Sequence, residues 1–69
     1  MLEVYVKDGC PYCEKQLSVL DRKGVEYELR NVGTDPEALR KAKEEYKAER
    51  VPVVVEDGKL QYVGFGGGG

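Results

Sequence analysis

The N-terminal run LEVYV alternates between two sets of side chains, with Leu2, Val4 and Val6 on one side and Glu3 and Tyr5 on the other. A period of two residues is typical of a β-strand, because successive side chains of a strand point to opposite faces. The pattern therefore predicts a first strand over these five residues.

Helical spacing begins after the segment KDGCP. Pro11 suits the first turn of a helix, where its missing N–H is not needed, and Gly24 is a typical residue just past a helix end. We therefore predict a first helix between these two residues. The residues that recur at helical spacing in it are Tyr12, Gln16, Leu17 and Leu20.

A second alternating run, VEYELRNV, occupies residues 25–32. It places Val25, Tyr27 and Leu29 on one face and predicts a second strand.

Residues 34–50, TDPEALRKAKEEYKAER, predict a second helix. Asp35 is a natural N-cap, and Pro36 suits the first helical position. The apolar stripe of this helix consists of Leu39, Ala42 and Tyr46.

The remaining sequence predicts a β-hairpin. VPVVV, residues 51–55, is a short apolar strand, and LQYV returns as its partner. Asp57-Gly58 between them is a strong signal for a two-residue hairpin turn. The predicted order is therefore β-α-β-α-β-β, an α/β fold with a mixed four-stranded sheet. Its first two strands should run parallel, because a helix connects them.

The composition excludes several classes of function. The 69 residues suffice for one small domain, and the net charge of −2 lacks the basic excess of a nucleic-acid surface. No run approaches the roughly 20 apolar residues that cross a bilayer, and no basic segment precedes an apolar one as in a signal peptide. We therefore expect a cytoplasmic protein without nucleic-acid or membrane partners.

The two cysteines of the chain, Cys10 and Cys13, stand in the motif CPYC between the first strand and the first helix. Free N–H groups and the helix dipole favour a negative charge at a helix N-terminus, and Lys7 adds a nearby cation. Both influences favour the thiolate, which is the nucleophilic form of cysteine. Pro11 holds the turn so that the second cysteine follows one helical turn later, within disulfide reach. The motif predicts thiol–disulfide exchange, in which Cys10 attacks and Cys13 resolves the mixed disulfide.

Other uses of two cysteines stay open at this point. They could be small buried hydrophobes, half of a zinc site, or ligands of an iron–sulfur cluster shared by two chains. Structural zinc usually takes four Cys or His ligands. The chain has no histidine and no further cysteine, so a metal site would need a second subunit.

The motif CPYC, the order of elements and the run VPVVV together resemble the glutaredoxins of the thioredoxin fold. The resemblance extends from Leu2 to about Phe65. It implies a thioredoxin-like domain over residues 1–65, without the family's third helix, followed by a flexible glycine tail over 66–69. It also implies catalytic Cys10 and Cys13, no bound metal or organic cofactor, and glutathione as a co-substrate.

The resemblance further implies contacts to glutathione. Lys7 matches the lysine that precedes the family's motif, Tyr12 its aromatic residue, and Val51 the residue whose backbone pairs with the peptide. Pro52 matches a cis proline that faces the cysteines, and Gly64 matches the glycine segment after the last strand. From the residues alone, the lysine could be a solvated strand end and the tyrosine an exposed residue of the first turn.

Two positions depart from the family. Arg50 stands where a threonine is usual, and the family's aspartate after the glycines falls on about Gly67 here. The pair Gly64-Phe65 is more similar to the glutaredoxin-like redoxins that serve ribonucleotide reductase. We therefore expect glutathione to bind weakly.

The predicted function is a glutaredoxin-like thiol–disulfide oxidoreductase that reduces protein disulfides or glutathione mixed disulfides. One alternative is a thioredoxin-like electron donor that a thioredoxin-type reductase recharges. Another is a non-catalytic metal-binding module that uses the two thiolates.

Overall fold

A computed structural model of the chain describes residues 1–48 and 50–64. The strands are β1 (Leu2–Val6), β2 (Tyr27–Asn31), β3 (Val53–Glu56) and β4 (Lys59–Val63); the helices are α1 (Pro11–Arg22) and α2 (Pro36–Arg40), and α2 continues as a π-helical turn over Lys41–Glu45. The described residues contain no third helix, and none of their helices is long and apolar enough to cross a membrane. The predicted glycine tail at 66–69 lies outside the described residues.

The four strands form one mixed sheet in the order β2-β1-β3-β4. Strand β1 runs parallel to β2 and antiparallel to β3, and β3 and β4 form a hairpin. The hairpin turns at Asp57 and Gly58, with φ of 49° and 81°, the left-handed conformation that a two-residue turn requires. The predicted fold class, a mixed four-stranded α/β sheet of the thioredoxin type, is confirmed.

Each face of the sheet packs against one helical segment. On the α2 side, Tyr5, Val53 and Val55 of the central strands pack with Ala38 and with a set of further buried residues, Val32, Ala42, Tyr46 and Ala48. On the α1 side, the central strands contribute Val4, Val6 and Val54, and the helix contributes Cys13 and Leu20. The resolving cysteine of the predicted motif is thus part of the core.

The outer strands are covered less well than their pattern predicts. Strand β2 begins at Tyr27, so Val25 lies outside it. Leu29 pairs with the buried Val4 but is 54% exposed. A helix is about 10 Å wide and strands lie about 4.8 Å apart, so α1 covers about two strands. The strand predicted from Val25 onward therefore begins two residues later, at Tyr27, and Leu29 on its predicted shared face stays exposed.

The second helix is shorter than predicted and changes its winding. After Arg40 the chain makes i→i+5 hydrogen bonds, shown by the Tyr46 N–H donating to the Lys41 carbonyl at 3.1 Å. Its buried face consists of Ala38, Ala42 and Tyr46. Leu39, predicted to belong to the apolar stripe, instead stays exposed at the side of the helix.

The hydroxyl groups of two tyrosines differ in their hydrogen bonding. The Tyr62 hydroxyl of β4 donates to Oε1 of the buried Gln16 of α1 at 2.9 Å and so joins the strand to the helix. The Tyr5 ring meets Tyr46 edge-on at 5.8 Å. Among the described residues, the Tyr5 hydroxyl is the one buried side-chain polar group without a hydrogen-bond partner. Burial raises the pKa of Tyr5 to about 12.

Replacing either tyrosine with phenylalanine should therefore change the free energy of unfolding in opposite directions. Tyr5→Phe should raise the free energy of unfolding by about 1 kcal/mol, because it removes a buried hydroxyl that gains no bond on folding. Tyr62→Phe should lower it by about 1 kcal/mol, because it leaves the buried Gln16 oxygen without its donor. Urea unfolding of both variants and the parent measures the difference. A loss of stability in Tyr5→Phe equal to that in Tyr62→Phe would contradict the assignment.

Candidate active site

The turn that carries the cysteines is built by three local preferences. Gly9 has a φ of 75°, a left-handed conformation that other residues adopt only at a cost. Cys10 follows with extended backbone angles, φ −99° and ψ 108°, as is typical of an N-cap. Pro11 then begins α1 with its φ already fixed for a helix. The strand β1 therefore ends in a turn that presents Cys10 at the start of the helix.

The Cys10 sulfur takes the place of the usual oxygen of an N-cap residue. The backbone N–H of Cys13 donates to Cys10 Sγ over 3.2 Å. One of the free N–H groups of the helix end is thus directed at the sulfur, where it stabilises a negative charge more than a neutral thiol. Cys10 is also partly exposed, so a substrate can reach it. This geometry fits the predicted attacking thiol.

Cys13 lies behind Cys10 and is only 2% exposed. Burial raises the pKa of the Cys13 thiol to about 12, and its hydrogen bond with Cys10 acts in the same direction. At neutral pH this side chain is therefore a protonated thiol. Both cysteines are free thiols in the structure. The structure thus has one partly exposed and one buried thiol on this turn, and the assigned roles of the two cysteines stay a prediction.

The loop before β3 packs against the same core cluster as this turn. The Val51–Pro52 peptide bond is cis, as the resemblance implied. Val51 is half-buried and, like Cys10, packs against the core cluster on the α1 side. The buried Gly64 donates its N–H to the Pro52 carbonyl at 2.8 Å. Pro52 and Gly64 are therefore brought together.

A cavity of about 600 Å³ opens between the end of β1, α2 and this loop. Its charged lining residues are Lys7, Lys43 and Arg50, and its apolar walls include Leu39 and Val51. We call it the basic cavity. Two of the predicted contact residues, Lys7 and Val51, line it.

Tyr12 lies away from this cavity, on the exposed surface of the first turn of α1. It is 40% exposed, and the Lys15 ammonium lies 5.6 Å from its ring centre. The region in which the family's aspartate is expected, near Gly67, lies outside the described residues.

The sequence reasoning missed three side chains around this site. Gln16 follows the helical spacing of the apolar positions of α1. Its hydrogen bond with Tyr62 could not be predicted without knowing where β4 lies in the sheet. Lys43 follows Leu39 by four residues, a spacing that places both on one side of a helix and could have indicated a shared cavity. Arg50 was noted only as a departure from the family.

Among residues 1–48 and 50–64, no three His, Cys, Asp or Glu side chains are grouped as a metal ion would require.

The sequence profile described as "Glutaredoxin" matches residues 2–61. The chain belongs to the glutaredoxin family. As a glutaredoxin with both cysteines of the CPYC motif in place, it is a thiol–disulfide oxidoreductase.

Individual relatives agree with this placement. The "Gene 56 protein" of Mycobacterium phage D29 is 31% identical over 93% of this chain and 71% of its own length. Among solved structures, the thioredoxin-like protein BC3987 superposes with a TM-score of 0.88 at 32% identity, covering 94% of this chain and 88% of that one. Glutaredoxin grx-1 from Archaeoglobus fulgidus superposes with a TM-score of 0.75 at 28% identity, covering 93% of this chain and 74% of that one. The buckwheat glutaredoxin–glutathione complex superposes with a TM-score of 0.72 at 27% identity, covering 91% of this chain and 59% of that one.

The burial of Cys13 predicts a slow and strongly pH-dependent alkylation. In Cys10→Ser, the rate at which the remaining thiol reacts with iodoacetamide should keep rising with pH above the ordinary thiol pKa, because burial, the largest cause of the raised pKa of Cys13, is still present in the variant. The rate against pH measures this. The same variant in denaturant is the control, and its rate should level off above the ordinary thiol pKa of about 8.5. A native rate that levels off at pH 9 would contradict the burial argument.

Proposed function

We propose that this glutaredoxin reduces protein disulfides and glutathione mixed disulfides by dithiol exchange, with glutathione as the co-substrate that restores the thiols. No bound cofactor takes part in the proposal. The observation that carries it is the pair of thiols on the first turn of α1: Cys10 Sγ is partly exposed and accepts the Cys13 N–H, while the Cys13 thiol is buried.

In the first step, the Cys10 thiolate attacks one sulfur of the substrate disulfide. The substrate S–S bond breaks, a mixed disulfide with Cys10 forms, and the second substrate sulfur leaves as a thiolate that takes a proton from water. The N–H of Cys13 loses its anionic partner in this step, because the Cys10 sulfur no longer carries a charge.

In the second step, the Cys13 thiol loses its proton and attacks Cys10 Sγ. The negative charge of Cys10 is one of the influences that raise the pKa of Cys13, and it disappears when the mixed disulfide forms. The first step therefore favours the deprotonation of Cys13 that the second step requires. The remaining substrate sulfur leaves as a thiolate and accepts a proton, so the substrate gains two electrons and two protons while Cys10 and Cys13 become a disulfide. Two glutathione molecules would then return the two thiols and leave as glutathione disulfide.

Glutathione as the reductant is supported by the likeness to a buckwheat glutaredoxin that binds glutathione. It is also supported by Lys7 and Val51, two predicted contact residues that line one cavity next to the cysteine turn. The sequence GFGGGG holds no acid where the family has an aspartate. Loss of a charge-assisted bond of about 1.5–3 kcal/mol weakens binding about tenfold to a hundredfold. The proposal is therefore a glutathione user with weak binding.

A reductase-recharged electron donor is the second candidate. The likeness to the thioredoxin-like protein BC3987, with a TM-score of 0.88, favours it. The missing aspartate favours it as well, since a protein reductase does not need the γ-glutamyl contact. Both candidates use the same two thiols and differ only in what reduces them.

The roles of the thiols predict different results for the two serine variants. Cys10→Ser should lose at least about a thousandfold in exchange rate, because the accessible nucleophile is gone. Cys13→Ser should keep the attack and accumulate a mixed disulfide, because only resolution is lost. Intact-mass measurement after exposure to a substrate disulfide detects the adduct. An adduct on Cys10→Ser and none on Cys13→Ser would reverse the assigned roles.

The reductant is decided by a side-by-side assay. With hydroxyethyl disulfide as substrate, we expect NADPH consumption with glutathione plus glutathione reductase, and a Michaelis constant for glutathione that is about tenfold or more above that of a glutaredoxin with the full pattern. Cys10→Ser is the matched control for background reduction. Turnover with NADPH and thioredoxin reductase as the electron source, and none with glutathione and glutathione reductase, would instead select the second candidate.

A further inference from the structure

In the described part of the chain, two hydrogen bonds between side chains join α1 to the strands, and both come from a tyrosine of an edge strand. The Tyr27 hydroxyl of β2 donates to Oδ1 of Asp21 at 3.1 Å. The Tyr62 hydroxyl of β4 donates to Oε1 of Gln16 at 2.9 Å. The ion pairs of the described residues include no residue of α1. The directional contacts of the helix with the sheet are therefore these two tyrosine bonds.

The bond from Tyr62 lies at the end of α1 that carries the cysteines. Gln16 follows Cys13 by three residues, so the two side chains lie on the same side of the helix, one turn apart. Each of them is 2% exposed, so this side faces the core. Asp21, which accepts from Tyr27, is an exposed residue of the last turn of α1. The two tyrosine bonds thus fix opposite ends of the helix, and that of Tyr62 fixes the end with Cys13.

The strand that provides Tyr62 also holds the loop before β3. Tyr62 pairs with Val54 of β3, and two residues further along the Gly64 N–H donates to the Pro52 carbonyl at 2.8 Å. Val51 of this loop packs against the same core cluster as Cys13. The Tyr62 hydroxyl therefore connects the strand that fixes the loop with the helix that carries the resolving thiol.

Gln16 is an unusual residue for the core-facing side of a helix. Among the described residues it is the one buried polar or charged side chain, and Leu20, one turn further along the helix, is apolar. Burial of an amide is unfavourable unless the amide is hydrogen-bonded. Apolar contacts are non-directional, whereas a satisfied buried hydrogen bond specifies one arrangement of the groups that make it. The amide of Gln16 therefore supplies what an apolar side chain cannot, a fixed position of α1 relative to β4.

The two steps of dithiol exchange depend on this position to different extents. Cys10 is partly exposed, and the local turn of Gly9 and Pro11 fixes its backbone. Cys13 belongs to α1 itself, and its buried sulfur must meet Cys10 Sγ in the alignment that a disulfide bond requires. A small displacement of the helix therefore impedes resolution by Cys13 more than attack by Cys10.

We propose that Gln16 and Tyr62 are positioning residues for the resolving thiol. Their hydrogen bond holds the first turns of α1 so that Cys13 meets Cys10 in the mixed disulfide. This inference rests on the proposed function and adds the pair of residues that sets the rate of its second step.

The chemistry of that step involves the two cysteines and the substrate alone. The Cys13 thiol loses its proton and attacks Cys10 Sγ. The bond between the two cysteine sulfurs forms, the bond from Cys10 to the substrate breaks, and the substrate sulfur leaves as a thiolate that takes up a proton. Gln16 and Tyr62 act on the step through the position of the helix.

Single-turnover exchange separates the two steps. Fully reduced protein is mixed with excess hydroxyethyl disulfide, stopped with acid, and weighed by intact-mass measurement. Loss of reduced protein gives the rate of attack, and conversion of the mixed disulfide into the intramolecular disulfide gives the rate of resolution. In Tyr62→Phe we expect resolution to be about tenfold slower and attack to stay within about twofold of the parent, because the displaced group is the resolving thiol.

A second variant removes the same bond from the helix. Gln16→Met has a side chain of similar length without the amide, and it should slow resolution to a similar extent. Combined with Tyr62→Phe, it should add little further loss, because both changes remove one shared interaction. Losses that multiply in the double variant would contradict an action through this bond.

Tyr27→Phe is the matched control, because it removes the other hydrogen bond between an edge-strand tyrosine and α1. It should leave the rates of attack and resolution unchanged, since that bond lies at the far end of the helix from the cysteines.

Resolution in Tyr62→Phe at the rate of the parent would overturn the inference. A fall of both rates by the same factor would also overturn it, because a general loss of folded protein has that effect. Equal slowing in Tyr27→Phe would do the same. Absence of any mixed disulfide on Cys13→Ser would be a different result, because it contradicts the proposed function itself.

Discussion

The hydrogen bond from the Cys13 N–H to the Cys10 sulfur, 3.2 Å long, is the constraint on which the active end of the molecule depends. It makes Cys10 the N-cap of α1, at the start of the helix, where this side chain is partly exposed. Cys13 is then one turn further on, on the side of the helix that faces the sheet, where it is 2% exposed. A single capping interaction therefore separates the two chemically identical side chains into an accessible sulfur and a buried, protonated one.

The features that the sequence predicted well are those that local rules decide. Gly9 and Pro11 fix the backbone on either side of Cys10, and the chain needs no distant partner to adopt that turn. Asp57 and Gly58 likewise adopt the two positive φ angles of a tight hairpin. Strand β1 followed its alternation, because both of its faces are covered in the centre of the sheet. The order of elements and the positions of the cysteines followed from such rules.

The features that the sequence did not predict depend on tertiary structure. Leu29 continues the alternation of its strand, but its exposure is set by the width of α1, which an alternating pattern does not contain. The π-helical turn after Arg40 breaks the period of 3.6 residues from which the stripe of α2 was predicted. Lys43 and Arg50 meet in one cavity only because α2 and the loop before β3 lie side by side. A single sequence gives no direct signal for that meeting.

The electrostatic influence of a charged group on a substrate depends on its distance from the substrate more than on the net charge of the chain. The molecule measures 30 × 25 × 22 Å, whereas charges in physiological salt are screened beyond about 8 Å. A substrate at Cys10 is therefore influenced by the groups around the cysteine turn more than by the net charge of −2. The basic cavity gathers Lys7, Lys43 and Arg50 at the end of β1, whereas the Arg30 and Arg40 guanidinium groups are paired with carboxylates. Among residues 1–48 and 50–64, the three cations of the basic cavity take part in none of the ion pairs. An acidic chain can in this way present a locally basic active end.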